Sequence, residues 1–80
     1  MNKKYIKIYI VDNDDTLTLY VSNQMIVFEL IKLYQEVISS FSTESYLIFA
    51  NKILDMNISL YDSFIIDESV LHFTNCSYIH

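Results

Sequence analysis

Eighty residues with a formal net charge of −5 leave room for one domain and argue against a nucleic-acid binder, because neutralising phosphates needs clustered Lys and Arg and only five basic residues are present. The chain is 52% apolar, enough for a modest core, yet no run approaches the roughly 20 apolar residues of a membrane-spanning helix. The lone Cys76 can build neither an internal disulfide nor a metal site, and the basic start Met1-Asn2-Lys3-Lys4 leads into strand-like alternation rather than a signal-peptide core, so an intracellular protein, cytoplasmic or nuclear, without a cofactor is expected.

The chain contains no Gly and no Pro, so its turns must rest on Asn, Asp and Ser. Ile6, Ile8 and Ile10 alternate with Lys7, Tyr9 and Val11, the period of a half-buried strand. Asp12-Asn13-Asp14-Asp15 reads as a turn, after which Leu17, Leu19 and Val21 alternate with Thr16, Thr18 and Tyr20. The pair predicts a β-hairpin. The Asp12, Asp14 and Asp15 carboxylates lack the Gly and distal Glu of a calcium loop and read as a solvated turn.

Ser22-Asn23 offers an N-cap for a helix over 26–38, where Val27, Leu30, Ile31, Tyr34 and Ile38 recur at spacings of three and four. Glu29 and Lys32 are placed to pair across one turn. Ser39-Ser40 ends the helix, and Phe41 is expected to plug the core. A third strand over 46–50 turns at Asn51-Lys52 into Ile53-Leu54. A loop over 55–57, a helical turn over 60–64 and a last strand over 69–75, with Leu71 and Phe73 inward, complete the order β-β-α-β-β. The expected architecture is α+β, a mixed sheet of four to five strands with one main helix across one face. It forms a single domain over 1–80, with a short extension over 1–4 and a tail over 75–80.

The segment Leu47-Ile48-Phe49-Ala50-Asn51-Lys52-Ile53-Leu54 resembles LIFAGKQL of ubiquitin, and Glu68-Ser69-Val70-Leu71-His72-Phe73 resembles its ESTLHL. Ser59-Leu60-Tyr61-Asp62 stands where that family has TLSD, and Thr16-Leu17-Thr18-Leu19-Tyr20-Val21 resembles TITLEV. The chain is therefore similar to the ubiquitin-like family, which implies a β-grasp fold and a role in binding proteins. Val27-Phe28-Glu29-Leu30 also resembles the start of the helix in elongin B, a ubiquitin-like structural adaptor.

The departures shape the functional expectation. Members of the family that are joined to lysines end in a diglycine, used because a Cβ would clash in a narrow channel. Here the residues run Ser77-Tyr78-Ile79-His80, and the two tail-side arginines of the family correspond to Tyr46 and Cys76. The resemblance implies a modifier without its conjugation chemistry. Lys52 matches the main chain-forming lysine and is a candidate ubiquitin acceptor, although a lysine in a surface turn needs no function. The other chain-forming lysines correspond to Asp67, Leu33, Val37 and the Asp14-Asp15 region.

Two protein-binding surfaces are expected. Ile48 and His72 match the family's apolar recognition patch and Thr74 replaces its valine. Alternation places all three opposite Leu47, Leu71 and Phe73. The plainer reading is an ordinary sheet face. On the helix, Glu29, Lys32, Gln35 and Glu36 occupy a polar arc, and Ile26, Leu33 and Val37 form an apolar stripe beyond what a core-facing helix needs. The stripe suggests a permanent partner, unless the loop after the helix covers it.

No enzyme signature is present: no phosphate loop, no nucleophile elbow and no paired-His motif. A Cys76–His72 dyad has nothing to orient the His. The favoured reading is a non-catalytic, non-conjugating subunit of a larger protein assembly. The alternatives are a degenerate ubiquitin moiety once fused to a ribosomal protein and retained on the ribosome, and a decoy for ubiquitin receptors.

Overall fold

The computed structural model describes residues 4–40 and 44–75. Phe41, Cys76, Ser77, Tyr78, Ile79 and His80, which figure in the expectations above, lie outside the described residues. Five strands and one helix follow in the order β1 (Tyr5–Asp12), β2 (Asp15–Ser22), α1 (Val27–Ile38), β3 (Ser45–Phe49), β4 (Lys52–Ile53) and β5 (Ser69–Asn75). The strands form one mixed sheet in the order β2-β1-β5-β3-β4. This is the β-grasp arrangement.

Alternation sets the two faces of the sheet. Ile6, Ile8 and Ile10 of β1, Val21 of β2, Leu47 of β3 and Leu71 of β5 are buried on the helix side. They meet Val27, Leu30, Ile31 and Tyr34 from α1. Leu60 and Ile65, from the long loop between β4 and β5, close the core beneath the sheet. Tyr34 lies against Phe73, ring centroids 4.7 Å apart, and donates its hydroxyl to Asp12 Oδ2 at 3.2 Å. Burial together with the carboxylates of Asp12 and Asp15 pushes the Tyr34 phenol up to about 12.

Each turn is made without glycine. Asn13-Asp14 joins β1 to β2, with Asn13 at φ 56°. Ser39 ends the helix at φ 55°, its N–H and that of Ser40 closing back onto Glu36 and Gln35 carbonyls. The β3–β4 turn is Ala50-Asn51, both at positive φ, one residue before the expected Asn51-Lys52.

Three local expectations need correction. Ser22-Asn23 does not cap the helix. Ser22 Oγ accepts from the Gln24 N–H, and Asn23 Oδ1 accepts from the Lys4 N–H, so both serve the turn before it. The N-cap position is Ile26, whose side chain has no acceptor. The helix is instead finished by other groups. The Val27 and Phe28 N–H groups donate to the Ile58 and Met56 carbonyls, and Glu29 Oε1 accepts from the Ile26 N–H. The long loop thus does the work of a cap.

Glu29 is therefore turned toward the helix start, and Lys32 lies 5.6 Å from the Phe28 ring centre instead of pairing with it. Finally, Gln35 is buried and Ile38 is exposed, the reverse of the expected arc. Gln35 Nε2 donates to the buried Ser45 Oγ at 2.8 Å, which lets an amide sit inside. Ile38 is the last residue of the helix.

Candidate functional site: the open face of the sheet

The sheet face turned away from α1 is set by strand register. His72 pairs with Ile48 of β3 on one side and Val11 of β1 on the other. Ile48 in turn pairs with Ile53 of β4, and Val11 with Thr16 of β2. Residues directly opposite one another share a face, so Ile53, Ile48, His72, Val11 and Thr16 form one row across all five strands. A second row runs Val70, Tyr9, Thr18, and a third pairs Lys7 with Tyr20. Thr74 stands opposite Tyr46 above the first row.

The face is apolar and open. Ile53 is 64% exposed and Val70 46%, while Tyr5 and Tyr20 are more than two-thirds exposed at its lower end. His72 is exposed, and Ile48, Thr74, Val11, Tyr9 and Tyr46 are half-buried. The expected trio of Ile48, His72 and Thr74 is thus brought together on one surface. Val11, Val70, Ile53 and the tyrosines enlarge it. Their signal was present in the sequence as the outward members of the same alternation.

The hairpin corner follows directly on the Val11–Thr16 pair, with Asp12 and its register partner Asp15 on the helix side, where Asp12 accepts from the Tyr34 hydroxyl, and Asp14 exposed in the turn. At the other end Lys7 Nζ lies 3.9 Å from Glu68 Oε2, and Asp67 Oδ1 accepts from the Lys7 N–H at 2.8 Å. The Lys7 pKa is raised, first by hydrogen bonding and charge at Tyr9 and then by the Glu68 carboxylate. Lys52 is exposed on edge strand β4.

The helix residues lie elsewhere and are not equivalent. Ile26 and Val37 are exposed, whereas Leu33 is half-buried and packs on the core. Phe28, not singled out from the sequence, is half exposed on the other flank of α1. A third apolar area surrounds the loop before β5, where Tyr61, Phe64 and Ile66 are exposed beside a shallow groove of about 350 Å³ that also reaches Lys4 and Tyr5. Among the described residues no three His, Cys, Asp or Glu side chains are grouped to hold a metal ion, and no helix is long and apolar enough to cross a membrane.

No family model and no curated protein matches the chain. Solved structures do. The chain is similar to the N-terminal ubiquitin-like domain of the 4931431F19Rik protein, with a TM-score of 0.85 and 21% identity over 95% of this chain and 79% of that one. It is also similar to a structure described as molecular mimicry of SUMO that promotes DNA repair, with a TM-score of 0.82 and 25% identity over 89% of this chain and 91% of that one. The molecule is a ubiquitin-like domain in fold. The resemblance first seen in short segments around Ile48 and His72 extends to the whole five-stranded sheet and its helix.

Proposed function

We propose that this chain is a non-catalytic protein-binding module that docks a partner non-covalently on its open sheet face, as a subunit of a larger assembly. The observation that carries the reading is the row Ile53, Ile48, His72 and Val11, with Val70 beside it, held outward by a rigid sheet whose other face is the core. A contiguous apolar patch rimmed by polar residues is the usual mark of a protein interface. The exposed Ile26 and Val37 on α1 offer a second, smaller contact.

The test uses the full chain with an N-terminal tag in the cells that make it, recovered under native and under denaturing conditions. The expected result is one species at 9.5 kDa plus the mass of the tag under denaturing conditions and a defined partner under native ones. The double variant Ile48→Ala, Val70→Asp loses that partner while keeping its circular dichroism spectrum. Adducts held by an isopeptide bond refute the non-covalent part. A partner retained by the double variant refutes the docking face.

A second reading is a decoy that occupies receptors of a ubiquitin-like modifier. It is favoured by the likeness to the structure described as mimicry of SUMO. Competition between the purified chain and ubiquitin or SUMO for a receptor separates this reading from the first.

A further inference from the structure

We propose that the β2 edge of the sheet pairs with β2 of a second copy of this chain, antiparallel and with Thr18 opposite Thr18 on the two-fold axis. The pairing is independent of the docking face proposed above, because it uses the rim of the sheet and not its surface.

The two rims are unlike. On one side the sheet ends in β4, two residues long and carrying Lys52, a short and charged edge. On the other side it ends in β2, eight residues long, which among the named elements lies against β1 alone. The β1–β2 register is unbroken from Tyr5–Ser22 to Asp12–Asp15, so no bulge turns this edge away. The strand holds no Lys, Arg, Pro or Gly, and its one charge, Asp15, stands at the hairpin end. The middle of β2 therefore has none of the devices that usually keep an edge from pairing.

The phase of the ladder tells which backbone groups are free. Asn23 continues the register, and its N–H donates to the Lys4 carbonyl at 2.8 Å. Antiparallel bonding alternates, so Val21, Leu19 and Leu17 also bond to β1, while Thr16, Thr18, Tyr20 and Ser22 turn their N–H and C=O groups outward. The Ser22 carbonyl already accepts from the Met25 N–H in the following turn. That leaves Thr16, Thr18 and Tyr20, a run with Thr18 at its centre.

Such a run is complementary to itself. Antiparallel pairing about Thr18 sets Thr16 against Tyr20 of the second copy, Thr18 against Thr18 and Tyr20 against Thr16, each pair exchanging two hydrogen bonds. On the open face the Tyr20 ring, 72% exposed in the single chain, then lies beside a β-branched threonine. On the helix face Leu17 meets Leu19 of the second copy, and both are only half-buried in the single chain. Charge favours the same occupant and direction. Asp15 falls opposite Val21 of the second copy, and the two acidic corners are carried to opposite ends of the contact, each toward the end where exposed Lys4 stands beside Asn23. A parallel pairing would set Asp15 beside Asp15. The contact is small, below about 1,200 Å², so the dimer should be reversible with a Kd on the order of 100 μM.

The test is sedimentation equilibrium of the full chain from about 10 μM to about 1 mM, with amide exchange followed by NMR at both ends of that range. The mass should rise from 9.5 kDa toward twice that value. The Thr16, Thr18 and Tyr20 amides should exchange several-fold more slowly in the concentrated sample. Thr18 is exposed, so Thr18→Lys and Thr18→Glu should each keep the circular dichroism spectrum. Each should be monomeric throughout, because the new charge meets its own image, and an equimolar mixture of the two should restore the dimer. A wild type that stays at the mass of one chain overturns the inference and leaves the docking face standing. A dimer that survives in both Thr18 variants overturns the edge contact, and a mixture that fails to restore it overturns the Thr18 axis. Amides protected only when a different protein is added assign the edge to that protein and overturn the second copy as its occupant.

Discussion

Leu71 and His72 are neighbours on β5 that point to opposite faces, and replacing each by alanine tests the assignment on which the binding face depends. Leu71 is fully buried between β1, β3 and the helix, so Leu71→Ala removes its transfer free energy and leaves a cavity. The expected loss is roughly 3–5 kcal/mol. A domain of this size has on the order of 4–12 kcal/mol in total. The melting temperature should fall by on the order of 20 °C, at about 4–8 °C per kcal/mol. His72 is exposed, and His72→Ala should change stability by no more than about 0.5 kcal/mol. Urea denaturation followed by circular dichroism measures both, with the slope m unchanged and only the midpoint moved. If His72→Ala costs more than about 1.5 kcal/mol, or Leu71→Ala less than about 1 kcal/mol, the faces have been assigned the wrong way round and the docking surface with them.

Other outcomes follow from particular residues. Gln35→Ala strips the buried Ser45 hydroxyl of its donor and should cost about 1–3 kcal/mol in urea unfolding, more than an exposed helix glutamine. Phe64 is 80% exposed and held at φ 65°, so Phe64→Gly should be neutral or stabilise by up to about 1 kcal/mol, and Phe64→Val should destabilise. The folded pKa of Tyr34, about 12, lies above the ordinary 10. Its contribution is therefore complete below pH 10 and lost as pH rises through 12. Stability should decline across that window in the wild type, and Tyr34→Phe should flatten that part of the curve.

Most of the sheet was legible because period-two alternation survives inspection residue by residue: Ile6, Ile8 and Ile10 inward, Lys7, Tyr9 and Val11 outward. Ile48, His72 and Thr74 could be placed together for the same reason. The helix was less legible. Its pattern named Ile38 as core and Gln35 as surface, because periodicity does not know that Ser45 waits to accept a hydrogen bond or that the helix stops at Ile38. Ser22-Asn23 was a sound cap by residue type. The loop carbonyls of Met56 and Ile58, some 30 residues away in sequence, were already in its place. Long-range backbone pairing of that kind leaves no local trace.

The glycine-free corners bear on the order in which the chain assembles. Asn13 enters the left-handed region at little cost, so the β1–β2 hairpin can close by itself before anything else is in place. Ala50, Phe64 and Glu68 have no such leaning, yet they are held at φ 53°, 65° and 70°. Those reversals are imposed by the finished sheet, with β5 already seated between β1 and β3. The transition state should therefore hold the first hairpin and the helix, with the second half of the chain closing downhill from it. Substitutions in the late corners would then alter how fast the domain opens far more than how fast it forms.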